Sequence, residues 1–284
     1  MSCNQSLYEQ EEQACRDTFL KDAEGAGIPY YFYKSSLKAE KPSIDEESHT
    51  MLLPVFDGLG GTAEKTTMAF MEALKMDGWD YLLKTNVSTW LDIPKIMQAI
   101  NKWEGREDKN IYGAKFLAND ASRNVPFPRG HFTILSRSMI EGITPWALKF
   151  IKADSLPKTD DTFISLSALY YLQKVLEDSY LKHLMEVPSV NCWTEEIQEA
   201  PEWTDALSVR CKNEAEREKT PDNIRKAHNL KHDNNTIKTY RRPMDVIETK
   251  YGTMKYGAFG SLLEKMDELK KRIKEQNSSG QSLD

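Results

Sequence analysis

The alternation of strand and helix signals in the first hundred residues is the feature that most restricts the fold of this chain. Three β-prone runs, IPYYFYK, MLLPVFDG and WDYLLKTN, are interspersed with two segments of helical spacing, GTAEKTTMAFMEALKMDG and LDIPKIMQAINKW. This alternation favours a layered α/β sheet with right-handed crossovers. Ligands bind such sheets beyond the carboxyl ends of the strands, so the turn after WDYLLKTN is a candidate site.

Later segments predict more elements of the same kinds. IYGAKF and HFTILSRS read as strands, whereas SMIEGITPWALKFI reads as a helix. We expect a mixed, mainly parallel sheet flanked by helices over residues 1–186. A mostly helical extension, residues 187–284, is expected to pack on this core as one domain. Only MSC precedes the first helix signal, so the first strand of such a sheet is either very short or missing from this chain.

Composition excludes several classes of protein. Of the 284 residues 39% are hydrophobic and 29% are charged, which is typical of a soluble globular chain. The net charge of -6 argues against general nucleic-acid binding, which needs a basic field. Four cysteines without a CxxC pair favour a reducing compartment over a disulfide framework. No signal segment and no transmembrane run is recognisable, so we expect a cytoplasmic protein.

An amphipathic helix is predicted near the end of the chain, over residues 258–275. SLLEKMDELKKRIKEQ brings apolar side chains onto one stripe, formed by Leu262, Met266, Leu269 and Ile273. We expect this stripe to dock onto the core. The alternative is a dimer contact or a contact with a membrane surface, which the basic residues of the same helix would support.

Two adjacent acids, Asp160 and Asp161 in LPKTDDTFIS, are the strongest candidates for catalysis. Neighbouring carboxylates repel each other, so one can have a raised pKa while the other stays ionised. A positioned carboxylate can act as a general base toward a hydroxyl group. The alternative is structural, since the same two residues could cap a helix that begins near Phe163.

Several segments, in order over residues 14–170, resemble the GT-A glycosyltransferases of the β-1,3-galactosyltransferase and Fringe-like superfamily, which has bacterial and large-virus members. CRDTF matches an arginine–threonine–aromatic helix motif, and AEKTTMAF matches a lysine–threonine pair. DYLLKTNVSTW aligns with the strand that ends in three aspartates in the family. PFPRGHFTILSRSM resembles the aromatic strand that ends in Ser-Arg, and KTDDTFIS resembles the segment that carries the catalytic base.

The resemblance implies a GT-A-like (Rossmann-like) fold and an inverting glycosyltransferase, with a UDP-sugar as donor and a glycan as acceptor, in a bacterial or viral pathway. Asp161 would be the general base, and Asp160 would orient it or contact the acceptor. The chain departs from the family where three aspartates would hold a metal, because Asn86, Val87 and Ser88 stand there. Hard cations such as Mg²⁺ or Mn²⁺ prefer carboxylates, and Asp92 is the one weak candidate nearby. We therefore expect protein cations to neutralise the diphosphate.

Candidate ligand-binding residues follow from the same segments. For the donor they are Arg16, Lys65, Lys84, Thr85, Asn86 and Ser88, together with Arg210 and Lys212 from a basic region that could close over the diphosphate. For the acceptor they are Arg129, His131 and Trp90. Each has a structural alternative: a solvated basic face, an ordinary polar turn, a packed histidine or a core tryptophan. Trp193 and Trp203 could also stack on sugars, and His228 with His232 is expected to be a surface pair rather than a metal site.

Two other functions compete with the enzyme. A non-catalytic carbohydrate- or nucleotide-binding protein could keep this fold after losing the metal turn, although the intact TDD sequence argues against it. A nucleotidyltransferase is the weaker alternative, because such enzymes usually begin with a glycine-rich phosphate loop. GLGG at residues 58–61 is too late and too short for that purpose.

Overall fold

A computed structural model describes residues 6–103, 110–117, 126–152, 159–178, 180–187, 189–191, 206–212 and 216–230, two short strands within 247–254, and residue 271. The chain begins with helices α1 (Ser6–Asp17) and α2 (Phe19–Gly25). The hydroxyl of Thr18 between them donates to the carbonyl of Ala14 at 2.7 Å. This bond engages a carbonyl at the end of α1 and accompanies the change of direction.

The first sheet is small and lies early in the chain. Its strands are β1 (Phe32–Ser35), β2 (Ser43–Asp45) and β3 (Thr50–Leu53), in the order β1-β3-β2. β1 and β3 are parallel, whereas β2 is antiparallel to β3. The carboxyl ends of β1 and β3 therefore lie side by side.

The largest described sheet has four strands in the order β4-β7-β6-β8. They are β4 (Tyr81–Thr85), β6 (Tyr112–Leu117), β7 (Phe127–Ser136) and β8 (Leu184–Glu186). β7 pairs antiparallel with both β4 and β6, and β6 pairs parallel with β8. β4, β6 and β8 consequently run in one direction and β7 runs in the opposite direction.

A third sheet joins distant parts of the chain. β10 (Ser208–Arg210) lies between β5 (Thr89–Leu91) and β9 (Ser189–Asn191), antiparallel to β5 and parallel to β9. A separate hairpin is formed by β11 (Ile247–Thr249) and β12 (Gly252–Met254).

Helices cover both faces of the four-stranded sheet. Helices α3 (Thr62–Leu74), α5 (Arg137–Lys152) and α6 (Asp160–Tyr170) pack together, and α4 (Ile93–Trp103) belongs to the other side. The alternation of β7 explains this division, since Phe132 and Ile134 enter one core cluster and Leu135 enters the other. Helix α7 (Thr220–Asn229) packs against α1 and β5.

The observed fold confirms the α/β class. Among the strand pairs that the structure describes, antiparallel pairing is the more common, so these pairs do not establish the single, mainly parallel sheet. Within the described ranges, no helix has both the length and the apolar character needed to cross a bilayer. Apart from residue 271, the predicted helix over 258–275 lies outside the described residues.

Candidate active site

A buried lysine and two carboxylates form the centre of the candidate site. Lys84 lies in β4, and its Nζ makes an ion pair with Asp160 Oδ2 and a second one with Asp161 Oδ1 at 3.3 Å. The side chains of Lys84, Asp160 and Asp161 are 2%, 8% and 23% exposed. We call these three residues the Lys84 cluster. Only Asp161 offers solvent or a ligand an appreciable surface.

The first turn of α6 positions both acids. Thr159 is the N-cap and forms no side-chain cap bond, and Asp160 and Asp161 are the first two helical residues. Carboxylates are stabilised there by the unpaired N–H groups and by the helix dipole. The helix therefore starts at Asp160 rather than near Phe163. Since Lys84 engages both carboxylates, capping is not their main contact.

Helix α3 holds Asp160 from the other side. The hydroxyl of Thr66 donates to Asp160 Oδ2 at 3.5 Å, and Thr62 Oγ1 accepts from the backbone N–H of Asp160 at 3.2 Å. Thr66 also shares a hydrogen bond of 3.3 Å with the hydroxyl of Tyr33, in β1. Burial raises the pKa of Tyr33 to about 12, so this phenol stays neutral near pH 7. Asp160 is therefore fixed by two separate elements.

Burial and charge divide the roles of the cluster. Burial raises the pKa of Asp161 to about 6, with Asp160 acting in the same direction and Lys84 opposing it. Burial alone would lower the pKa of Lys84, but the two carboxylates outweigh it and hold the pKa above its usual range. Lys84 is thus a permanent cation rather than a nucleophile. Asp161 is ionised at neutral pH and has a pKa suited to accepting a proton.

Gly130 in β7 makes room for the Asp161 carboxylate. A Cβ atom added at position 130 would overlap the carboxylate of Asp161, with both oxygens and the carboxyl carbon in its way. The next residue, His131, pairs with the end of β4 and with the turn. Its carbonyl accepts from Thr85 Oγ1 at 2.8 Å and from the Asn86 N–H at 3.3 Å. The end of β4 and the candidate base therefore meet at β7.

The Asn86–Val87–Ser88 turn is held by its backbone, leaving one side-chain acceptor open. The Val87 carbonyl accepts from Cys15 Sγ at 3.2 Å, and the Ser88 carbonyl accepts from the Cys211 N–H at 2.8 Å. Asn86 Oδ1 is buried and receives no hydrogen bond from any described residue. An orphaned buried acceptor is costly, which makes Asn86 a candidate contact for a ligand hydroxyl or N–H group.

The residues around this turn do not fit a divalent metal. Asp92 Oδ1 accepts the backbone N–H of Lys95 at 3.1 Å, and Asp92 Oδ2 pairs with Lys95 Nζ at 3.1 Å. Asp92 therefore caps α4 and neutralises a neighbouring lysine. Over the described ranges, no three histidine, cysteine, aspartate or glutamate side chains are grouped to hold an ion. The metal-ligand role considered for Asp92 has no support in this geometry.

Most of the predicted donor-binding cations are engaged within the protein. Lys65 is 1% exposed and pairs with Asp57 at 3.0 Å. Arg16 donates to the Ser48 carbonyl at 2.6 Å and lies over the ring of Phe32. Together with Lys84, these cations support the structure around the site in this conformation.

Arg210, at the end of β10, and Lys212 lie beside the turn. Arg210 is paired in register with Thr89, and the backbone N–H of Cys211 donates to the Ser88 carbonyl. Both side chains are partly exposed. Burial raises the pKa of the Glu11 carboxyl, and Lys212 is close enough to that carboxyl to oppose the effect. The basic segment is thus brought to the candidate donor turn.

The described residues that were predicted to bind the acceptor are almost fully buried, which leaves little surface for contact with a sugar. His131 is 1% exposed, and its Nε2 shares a hydrogen bond with Ser189 Oγ, which in turn bonds Ser208 Oγ at 2.8 Å. Trp90 is 4% exposed, and its Nε1 donates to His228 Nδ1 at 3.4 Å. The Arg129 side chain, with Trp193, Trp203 and His232, lies outside the described residues.

Sequence reasoning missed three residues that shape the site: Tyr33, Asp57 and Gly130. Thr66 was part of a matched motif but was not proposed for the site. A glycine directly before a buried strand residue is a signal for close approach, yet nothing local identifies Asp161 as its neighbour. Tyr33 and Asp57 lie in early segments whose distance from the acids depends on the tertiary fold.

The chain matches no protein-family model and no curated protein.

Proposed function

We propose that this protein is an inverting glycosyltransferase, a hexosyl- or pentosyltransferase, with Asp161 as general base. It would move a sugar from a nucleotide sugar to a hydroxyl group of a glycan. The observation that carries the proposal is the ion pair between Lys84 and Asp161, which are 77 residues apart. They come from the two segments that resemble the donor turn and the catalytic-base segment of GT-A enzymes, so chain order and spatial proximity agree.

The sheet gives further support to a GT-A-like fold. β4, β6 and β8 run in one direction with β7 reversed, and β1 and β3 form a parallel pair. Helices cover both faces of the four-stranded sheet. The candidate residues lie at the carboxyl end of β4, at the start of α6 and at the start of α3. Ligands bind open α/β sheets at this edge.

The chemistry follows from the protonation states of the cluster. The acceptor oxygen forms a bond to the anomeric carbon while the bond from that carbon to the diphosphate oxygen breaks. The acceptor proton passes to the ionised carboxylate of Asp161. Lys84 and Asp160 hold this carboxylate in place, and the nucleoside diphosphate leaves. One displacement without a covalent intermediate inverts the configuration of the sugar.

The charge on the leaving diphosphate would be met by protein groups. Arg210 and Lys212 lie beside the Asn86–Val87–Ser88 turn and can supply positive charge. Asn86 Oδ1 can accept a hydrogen bond from a donor hydroxyl. Since the described residues do not fit a divalent ion, the proposed reaction does not depend on one.

Release of nucleoside diphosphate from a panel of nucleotide sugars, UDP-sugars first, tests the proposal. Assays with Mn²⁺, with Mg²⁺ and with EDTA are run in parallel. We expect turnover that survives EDTA and falls by about 10²- to 10⁴-fold in Asp161→Asn, the usual contribution of a general base. Glu141→Gln, which changes a half-exposed surface carboxylate, is the control. Strict dependence on metal would contradict the proposed charge neutralisation.

A non-catalytic sugar- or nucleotide-binding protein is the second candidate. The observation in its favour is that Lys84 contacts both candidate catalytic carboxylates. These ion pairs could keep both carboxylates catalytically inactive. Binding without turnover of any nucleotide sugar, with no change in Asp161→Asn, would favour this function over the enzyme.

A further inference from the structure

One aromatic side chain near the candidate site is largely exposed to solvent. Phe56 is 60% exposed, whereas most large apolar side chains of the described residues are buried. It follows β3, on the loop that leads into the 3₁₀ turn Leu59–Gly61 and then into α3. Exposure of this aromatic side chain forgoes the stabilisation that burial would give. A binding role would account for this exposure.

The loop around Phe56 is built closely against that residue. A Cβ atom added at Gly58 would lie 2.5 Å from Cε1 of the Phe56 ring, and one added at Gly61 would overlap the Phe56 carbonyl. The Gly61 N–H donates to the Gly58 carbonyl at 2.9 Å, which closes the turn. Ser35 Oγ donates to the Phe56 carbonyl at 3.5 Å. Phe56 is therefore closely surrounded by Gly58, Gly61 and Ser35, while most of its side chain stays exposed.

The carboxylate of Asp57, the residue after Phe56, connects this loop to the Lys84 cluster. Asp57 is 28% exposed, and its Oδ1 contacts Lys65 Nζ at 3.0 Å and Ser35 Oγ at 3.4 Å. The next residue of α3, Thr66, contacts Asp160 at 3.5 Å. Adjacent residues of α3 thus contact Asp57 and Asp160, so this helix joins the Phe56 loop to the Lys84 cluster.

We propose that Phe56 and Asp57 form the subsite for the nucleoside of the donor. The base stacks on the exposed Phe56 ring, and the Asp57 carboxylate accepts hydrogen bonds from the ribose hydroxyls. This inference rests on the proposed function and adds to it the place where the nucleotide binds. The position beyond the carboxyl ends of the parallel strands β1 and β3 favours a nucleotide over the acceptor sugar.

Calorimetric binding of UDP and GDP to the full chain tests the subsite. Phe56→Ala is expected to weaken binding by roughly 10- to 100-fold, the range produced by removing a stacking aromatic. Phe56→Tyr keeps the π-face and is expected to bind within about 3-fold of the native protein. Leu176→Ala removes another exposed apolar side chain, which is 42% exposed and lies beyond the end of α6, and should leave binding unchanged.

Two glycine variants on the same loop form a matched pair. Gly58→Ala is expected to displace the Phe56 ring and weaken UDP binding, because the new methyl group would overlap Cε1. Gly60→Ala adds the same methyl group where nothing lies within 4 Å, so it should bind UDP normally. Neither glycine has a positive φ, and both variants are therefore expected to fold. Thermal unfolding without ligand checks this expectation.

The outcomes separate this inference from the proposed function. Unchanged UDP and GDP binding in Phe56→Ala would overturn the subsite and leave the glycosyltransferase proposal standing. Weakened binding of a methyl glycoside acceptor, with nucleotide binding intact, would assign Phe56 to the acceptor and also overturn the subsite. Failure of the native protein to bind any nucleoside diphosphate would overturn both proposals.

Discussion

At the scale of single residues, Lys84 sets the properties of Asp161. The protonated amine lies between two carboxylates and leaves the cluster with one net negative charge. Removal of the amine would leave two buried carboxylates, which cannot both stay ionised at low cost. The acidity of the candidate base is therefore a property of three residues from two segments of the chain.

The pH dependence of turnover should report this arrangement. Because Asp161 must be ionised to accept a proton and its pKa is raised to about 6, the rate is expected to rise through about pH 6 and then level off. In Lys84→Met the midpoint should move to higher pH, since the lysine opposes the effect of burial. Initial rates between pH 5 and 9 measure both midpoints.

Lys95→Met is the matched control for the lysine. Lys95 is also buried and paired with a carboxylate, that of Asp92, but it belongs to α4. This variant is expected to lose stability without moving the midpoint. An equal shift in both variants would show that general destabilisation, rather than Lys84, controls the profile.

The same raised pKa gives Asp161 a defined effect on folding. Its ordinary value is 3.8, below the value in the folded protein. The contribution of its protonated form to stability is therefore complete below about pH 4 and is lost as the pH rises through about 6.

Gly130→Ala tests how closely the carboxylate must be placed. The added methyl group would overlap the Asp161 carboxylate, so the carboxylate must shift. We expect kcat to fall by about 10²-fold, the cost of a displacement near 1 Å, while nucleotide binding is retained. Gly25→Ala, with no atom within 4 Å of the new methyl group, should behave as the native protein. Normal kcat in Gly130→Ala would exclude Asp161 as the base in this position.

At this scale the sequence could indicate candidate residues but not their contacts. It selected Lys84, Asp160 and Asp161, but it directed Lys84 toward a diphosphate. Whether a lysine faces a ligand or a carboxylate depends on distances across 77 residues of chain, which no local pattern records. Trp90 illustrates the same limit, because its place beside the turn was visible and its burial was not.

At the scale of elements, α1 is joined to the α7 region by two ion pairs of different character. Arg217 contacts Glu11 at 2.6 Å, and Glu11 is fully buried. Arg225 contacts Asp17 at 3.1 Å, with both side chains more than a third exposed. The first pair leaves a buried charge if it is broken, whereas the second leaves two solvated groups.

The two pairs should therefore contribute unequally to stability. Arg217→Ala is expected to lower the free energy of unfolding by about 3 to 5 kcal/mol, because it strands the buried Glu11 carboxylate. Arg225→Ala should lower it by less than about 1 kcal/mol. Urea unfolding of both variants measures the difference. Similar losses would mean that Glu11 takes up a proton at little cost when Arg217 is absent.

The kinds of elements were largely predictable, and their pairing was not. The run WDYLLKTN became β4, and the helical spacing after Gly61 became α3. The antiparallel β7 has a physical reason that the sequence analysis overlooked. β6 ends at Leu117 and β7 begins at Phe127, which is too short an interval for the crossover of a dozen or more residues that parallel neighbours need.

At the scale of the whole molecule, late residues complete structures that begin early. One core cluster contains residues of α1, Trp90, Val209 and Ile224. β10 lies between β5 and β9, and the Cys211 N–H bonds to the Ser88 carbonyl. These two residues are 123 positions apart (211 minus 88). The candidate donor turn is therefore supported by a segment from far along the chain.

This arrangement predicts how truncated chains behave. A chain that ends at residue 205 lacks β10 and α7, and its donor turn should be open to proteases and inactive in nucleotide-sugar turnover. A chain that ends at residue 230 keeps both elements and should protect the turn. Limited proteolysis followed by mass spectrometry locates the cuts. Equal protection in both chains would show that β10 is dispensable for the turn.

The bond between Ser88 and Cys211 also sets an order of events during synthesis. Asp161 and Lys84 leave the ribosome well before Cys211, yet the turn beside them lacks its support until residue 211 has emerged. An incomplete chain thus carries every proposed catalytic group and still lacks a finished donor site. Translation itself would then act as a safeguard, since a nucleotide sugar could be consumed only after residue 211 has emerged.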